Sequence, residues 1–177
     1  NHLISERTGD ASTIPMVDPG IYGYDYKALA SSMDFMSPES YALSDSYKSM
    51  RQGIFTNIYS RYANPDNVVI WKEFGKSIWI GSNFADNHKS EQFQAEYYKS
   101  FFDMLLTGHT AGLYAWWWAG GYRVGENSDF GIVAPDGSDR PVTKVFREYA
   151  HKFIHAPALR KPEKQIYIDR DRHANGL

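Results

Sequence analysis

The chain has 177 residues, above the commonest single-domain size and below the roughly 250 residues at which chains divide, so it holds one domain or part of a larger one. Its 19 Lys+Arg against 21 Asp+Glu give a net charge of -2, spread along the chain, which argues against nucleic acid or an anionic membrane as the main partner. The lack of Cys excludes disulfides, zinc-thiolate sites and Cys nucleophiles and leaves the compartment open, and no apolar run reaches the roughly 18 residues of a membrane span.

The repeated order is a short β-like run, a polar loop and an amphipathic helix, the pattern of βα units on a parallel sheet. The chain opens at Asn1 without a basic-then-apolar signal pattern and reads as a processed or excised start. The first apolar run is 14–17, after which Asp25 caps a short helix to Ala30. Residues 34–41 (DFMSPESY) read as the second strand. Ser44, Asp45 and Ser46 then cap a helix with Tyr47, Met50, Ile54 and Ile58 on one face, stopped by Asn64-Pro65. Residues 68–73 (VVIWKE) form a third strand of the buried, nearly continuous apolar kind. Ser90 caps the longest helix, whose stripe is Phe93, Tyr97, Phe101 and Leu105, and Gly108 ends it. Residues 113–118 (LYAWWW) are the fourth strand, followed by a long Gly-, Asp- and Asn-rich loop over 119–140; long ordered loops tend to be functional. Pro141 opens a last helix with Val142, Val145, Phe146, Tyr149 and Phe153 inward. After Ala156-Pro157 the composition turns charged, and 165–169 alternates like an edge strand.

Four such units are half of a (β/α)8 barrel, so the fold class is α/β, half of a TIM barrel over 1–156, with 157–177 a linker and the start of an accessory β-segment. A half barrel has two open edges and calls for another four units. A doubly wound open sheet competes, but neither G-x-G-x-x-G nor a phosphate-binding loop motif occurs to serve its switch point.

In such a barrel the chemistry sits where the strands end. Glu73 ends the most apolar strand and is followed by Phe74-Gly75, which leaves a carboxylate at the mouth. Tyr41 ends the neighbouring strand, where its phenol can orient Glu73, and Glu39, two residues earlier on the same face, is a candidate second acid or sugar-hydroxyl acceptor. Trp116, Trp117 and Trp118 close the last strand. Trp116 and Trp118 are candidate sugar platforms, because indole faces stack on the apolar face of a pyranose. An aromatic content of 16% suits such a ligand. Trp79 in the preceding loop is a candidate outer platform, and Arg123, Glu126, Asn127 and Asp129 are residue types that read sugar hydroxyls. None of the six His has the spacing of a zinc site, and Asp136-Gly137 reads as a turn rather than a calcium loop.

WKEFGKS at 71–77 resembles the seventh-strand motif of the retaining clan A glycoside hydrolases, in which the Glu of an E-F-G or E-x-G run is the nucleophile. DFMSPESY resembles the sixth strand of that clan, above all the form found in family 42 β-galactosidases, with cellulase-like family 5 also near. AGLYAWWWAGG at 111–121 is similar to the eighth strand with its sugar-platform Trp, and the tail resembles the start of an accessory β-domain. The resemblance implies that Glu73 attacks the anomeric carbon of a β-linked sugar. It implies no metal or organic cofactor, a carbohydrate as ligand, and the N-terminal half of the same barrel as partner. Clan members carry the acid/base Glu in an Asn-Glu pair on strand four. No Asn-Glu pair occurs here, and Gly125-Glu126-Asn127 has the wrong order and place. Two rivals stay open: a noncatalytic carbohydrate-binding module, and a self-contained glycosidase with Glu39 as acid. For the second, a carboxyl separation of about 5 to 5.5 Å means retention and about 6.5 to 9.5 Å inversion.

Overall fold

The structure, a computed structural model, describes residues 3–5, 7–9, 26–41, 47–63, 65–66, 68–79 and 87–157. The apolar run at 14–17, the caps at Asp25 and at 44–46, and the strand expected over 165–169 lie outside these residues. In chain order the elements are β1 (Arg7–Gly9), α1 (Tyr26–Ser32), β2 (Phe35–Ser40), α2 (Tyr47–Ala63), β3 (Val68–Trp71), β4 (Glu73–Phe74), α3 (Asn87–Thr107), β5 (Gly112–Leu113) and α4 (Pro141–Ile154). Every strand pairing is parallel, in the order β1-β2-β3-β5, with β4 also on β2. Since β3 and β4 are one strand interrupted at Lys72, the described residues form four parallel strands of a curled half barrel.

The core lies between this sheet and its helices. Val69, Trp71 and Phe74 face Tyr97, Tyr98, Phe101 and Phe102 of α3 and Val142 and Tyr149 of α4. Phe74 stacks on Phe101 at 4.1 Å and Trp71 meets the same ring edge-on at 5.3 Å; such pairs add about 0.5–1.5 kcal/mol each to the burial of their area. The inward stripe of α4 is the expected one: Val142 and Tyr149 are buried, with Val145, Phe146 and Phe153 packed beside them. Pro141 occupies the first turn, where its missing N–H leaves no bond unmade.

One strand is added to the expected set, and three expectations are corrected. β1 is built from Arg7-Thr8-Gly9, which has no apolar run to announce it. The stripe on α2 holds at Ile54, which packs against the core, and fails at Ile58, which is 54% exposed; the helix instead buries Thr56, Asn57 and Ser60, and Asn57 accepts from Trp71 Nε1 at 2.8 Å and donates to Thr110 Oγ1 at 2.8 Å. α3 starts at Asn87, so Ser90 lies within it. At its far end His109, not Gly108, takes the left-handed conformation (φ 53). The bonds from His109 N–H to Leu106 O and from Thr110 N–H to Leu105 O close a Schellman turn there. Gly108 is glycine for space: a Cβ would lie 2.4 Å from Asn57 Nδ2.

The fourth strand is also shorter than expected. After Gly112–Leu113 the chain still follows its neighbour, with Tyr114 N–H on Trp71 O (2.8 Å) and Trp116 N–H on Phe74 O (2.7 Å). Trp117 and Trp118 lie beyond this pairing. The Trp116–Trp117 peptide is cis. Among the described residues no helix is long and apolar enough to cross a membrane.

Candidate active site

The position of Glu73 follows from a register shift. β2 pairs with β3 through Phe35–Val68 and Met36–Val69, and with β4 through Glu39–Glu73 and Ser40–Phe74. Between these pairs β2 has Ser37 and Pro38, whereas the partner strand has Ile70, Trp71 and Lys72. Strict alternation from Val69 and Trp71 would send Glu73 in among the helices. One extra residue at Lys72, whose N–H bonds Pro38 O at 3.1 Å, sends Phe74 there instead and turns Glu73 to the face of Glu39. The two glutamates are therefore register partners on adjacent strands, with Cα atoms about 4.8 Å apart.

Tyr41, just past β2, donates its phenol proton to Glu73 Oε1 at 2.7 Å. Burial, the bond to Glu73 and the charges of Glu73 and Glu39 all raise the Tyr41 pKa. The phenol thus stays protonated and acts as a fixed donor to the carboxylate. Phe130 meets the Tyr41 ring edge-on at 5.5 Å and holds it from the loop side. Gly75 completes the strand exit. A Cβ there would lie 2.2 Å from Trp116 O, so glycine lets the end of β4 and the Trp116 backbone meet. Tyr98, from α3, donates to the same Trp116 oxygen at 3.0 Å.

Beside this pair opens a cleft of about 500 Å³ lined by Tyr41, Gly75, Lys76, Ser77, Trp79, Phe93 and Phe130. Trp79 therefore borders the cleft that Tyr41 borders. Its ring packs on Tyr122 at 4.5 Å, and Tyr122 donates to Asn127 Oδ1 at 2.6 Å. Arg123 pairs with Glu126 at 2.7 Å and lies over Trp117 (4.9 Å) and Trp116 (5.4 Å). Ser128 Oγ donates to Glu126 Oε2 at 3.1 Å. The loop residues thus form one connected cluster on the rim. Trp118 stands apart, 70% exposed. Asp129 is turned inward: it is buried, bound by both Arg140 Nη atoms (3.1 and 2.8 Å) and by Gly131 N–H (2.9 Å). Burial raises the pKa of its carboxyl, but the bonds from Arg140 and Gly131 outweigh that and hold it below the usual range. Asp129 ties the loop to α4 rather than reading hydroxyls. Arg140 Nε also lies 3.4 Å from Glu91 Oε1.

Lys76, Phe93 and Phe130 are lining residues that the sequence reading passed over. The only local signal for them was G-K-S directly after E-F.

Solved structures similar to the chain include glycosidases. It matches a Ruminococcus gnavus β-glucuronidase at 14% identity with a TM-score of 0.58, over 85% of this chain and 26% of that one. It matches a GH2 β-galacturonidase from Eisenbergiella tayi, solved with glycerol bound, at 15% identity and a TM-score of 0.53, over 81% of this chain and 27% of that one. The likeness is one of fold. The chain spans about a quarter of these neighbours' length. No protein-family model matches it, and neither does any curated protein.

Proposed function

We propose that this chain supplies the nucleophile half of a retaining β-glycoside hydrolase, with residues 1–156 as half of the catalytic barrel and 157–177 leading into an accessory segment. The observation that carries this reading is the 2.7 Å bond from Tyr41 to Glu73 Oε1 at the C-terminal end of a parallel strand, beside a cleft of about 500 Å³. A carboxylate oriented by a fixed donor, next to a pocket of ligand size, is the arrangement a nucleophile requires. Glu73 attacks the anomeric carbon while a second carboxylic acid, about 5 to 5.5 Å away across the sugar, protonates the departing glycosidic oxygen. Water then opens the glycosyl ester and gives its proton to that second group. We assign the second group to the remaining βα units, which also close the sheet. Trp116, Trp79, Arg123, Glu126 and Asn127 form the sugar-facing rim, and Trp118, exposed beyond them, is an outer platform. The names of the structural neighbours place β-uronides beside neutral β-glycosides among the substrates to assay, and the motifs at 34–41 and 71–77 add the family 42 and family 5 sugars.

The register pairing of Glu39 with Glu73 favours a second reading, in which Glu39 is the acid and the chemistry is complete within this chain. Glu73→Gln in the assembled protein tests the first reading: turnover of aryl β-glycosides falls by roughly 10⁴-fold or more with folding intact. Unchanged turnover overturns it, and saturable sugar binding without any turnover points to a noncatalytic binding module. A loss of comparable size in Glu39→Gln, restored by azide with an activated substrate, transfers the acid role to Glu39.

A further inference from the structure

Gln94 is a fully buried polar residue on α3, the helix that supplies Tyr97, Tyr98, Phe101 and Phe102 to the core. Its carboxamide points Nε2 at three backbone oxygens: Lys76 O at 2.9 Å, Gly131 O at 3.3 Å and Phe130 O at 3.4 Å. Three acceptors around one nitrogen fix which end of the amide faces them, because the amide oxygen turned that way would meet only other acceptors. Among the described residues Oε1 has no hydrogen-bond partner. A buried acceptor without a donor costs free energy, and an apolar side chain of the same length would avoid that cost. What the amide supplies in return is its two protons, one on Lys76 O and the other shared between Phe130 O and Gly131 O.

These oxygens belong to the two segments that wall the cleft, since Lys76 and Phe130 both line it. One segment leaves β4 directly after Glu73, and the other lies in the loop over 119–140. Further bonds join them: Ile78 N–H donates to Asp129 O at 2.8 Å, Asp129 N–H donates to Ser77 Oγ at 3.0 Å, and Arg140 Nη1 holds Gly131 O at 2.6 Å. Gln94 adds a tie one residue closer to the chemistry on each side. Phe130 carries it onward: its ring meets Tyr41 edge-on at 5.5 Å, and its Cδ1 would lie 3.0 Å from a Cβ at residue 75. The ring therefore sits between the exit of β4 and the phenol that bonds Glu73 at 2.7 Å. Resting on the hydrolase reading above, we infer that Gln94 is a positioning residue for the nucleophile: it holds the backbone of Phe130 and Gly131 against that of Lys76, and so sets the ring that holds Tyr41 and, through Tyr41, the Glu73 carboxylate.

The experiment uses the assembled enzyme with 4-nitrophenyl β-glycosides and compares wild type, Gln94→Leu, Tyr41→Phe and the double variant. Leucine removes both donors at similar volume, and the bonds of Ser77, Ile78 and Arg140 keep the loop attached. The first-turnover rate of nitrophenol release is expected to fall about 3- to 10-fold in Gln94→Leu, with KM within about twofold of wild type. In the Tyr41→Phe background the same change is expected to add nothing, because the hydroxyl through which it acts is gone. A loss confined to KM, or one that adds in full to that of Tyr41→Phe, overturns the inference while the hydrolase reading stands. Should the leucine variant fail to fold, Gln94→Glu decides. A buried carboxyl that keeps its proton can donate to Lys76 O, whereas an ionised one repels all three oxygens. The rate of Gln94→Glu relative to wild type is therefore expected to fall as pH rises, and less so in the Tyr41→Phe background; a ratio independent of pH overturns the inference. If no 4-nitrophenyl β-glycoside is turned over, or Glu73→Gln leaves the rate unchanged, the reading beneath it fails and the inference with it.

Discussion

The two ends of the β3–β4 strand use similar side chains for opposite purposes. Toward its N-terminal side, Asn57 of α2 bonds Trp71 and Thr110, and Arg61 donates to Gly108 O at 2.9 Å. Amide, indole, hydroxyl and guanidinium meet one another there and close a joint between α2, the sheet and the end of α3. At the other end, Glu73 and Glu39 supply carboxylates on adjacent strands, and Tyr41, which donates to Glu73, borders a cleft. Polar groups sealed against one another contribute to stability, whereas a polar group at the border of a cavity can meet a ligand. Parallel barrels divide their labour between ends in this way.

The largest expected effect separates the two ends outright. Glu73→Gln lowers kcat/KM by roughly 10⁴-fold or more and leaves the thermal midpoint in place, because the amide keeps the shape of the carboxylate and still accepts from Tyr41. A variant that unfolds at lower temperature in proportion to its loss of rate would make Glu73 part of the frame.

Next comes the tie between loop and helix. Asp129→Asn leaves the buried Arg140 charge without its carboxylate, a loss of about 3–5 kcal/mol, read from urea unfolding. The pH dependence has a fixed sign. The folded-state pKa of Asp129 is depressed, so the stabilisation is complete above the unfolded value of about 3.9 and is lost as pH falls through the folded value. Wild type therefore loses stability on the acid side of about pH 4, and the Asn variant shows a flatter acid limb. An unchanged limb would assign the acid loss to other carboxylates.

These two sites differ in how far the sequence discloses them. Glu73 is legible because an apolar run stops at a carboxylate and is followed by Phe-Gly, and Tyr41 because it ends the adjacent run. The register shift at Lys72 is not legible: alternation read from Val69 and Trp71 sends Glu73 to the wrong face, and only pairing with β2 reveals the extra residue. Asp129 looks like any acid in a Gly-rich loop until Arg140, eleven residues on, is seen to fold back on it. On α2 the sequence favoured the apolar stripe through Ile58, because nothing local marks Asn57 as the partner of an indole fourteen residues ahead. What is local and periodic can be read, and what depends on a partner from another element cannot.

The joint at the N-terminal side gives the third effect. Asn57→Ala strands the buried Trp71 Nε1 without an acceptor, at a cost of about 2–3 kcal/mol, measured by denaturant unfolding. The change acts on the frame, so kcat/KM of the protein that remains folded is expected to stay within about twofold of wild type. A large fall in rate at full folding would show that this end steers the cleft.

The smallest effect bears most directly on what Tyr41 does. Tyr41→Phe keeps the ring against Phe130 and removes only the hydroxyl that Glu73 accepts, so stability changes little. If the hydroxyl positions the carboxylate, kcat/KM falls about 10- to 100-fold. The loss appears in the formation of the glycosyl-enzyme, which depends on the attacking oxygen, and is visible as a smaller burst of released nitrophenol. Alkaline conditions provide an independent check. Burial, the bond to Glu73 and the two glutamate charges all raise the Tyr41 pKa, so the phenol keeps its proton up to and beyond the ordinary tyrosine value of about 10. The activity of the wild type relative to Tyr41→Phe is then constant from neutrality to about pH 10. A wild-type advantage that shrinks over that interval would mean that Tyr41 ionises there, as a phenol in open solvent does, and its bond to Glu73 would no longer explain how the carboxylate is held.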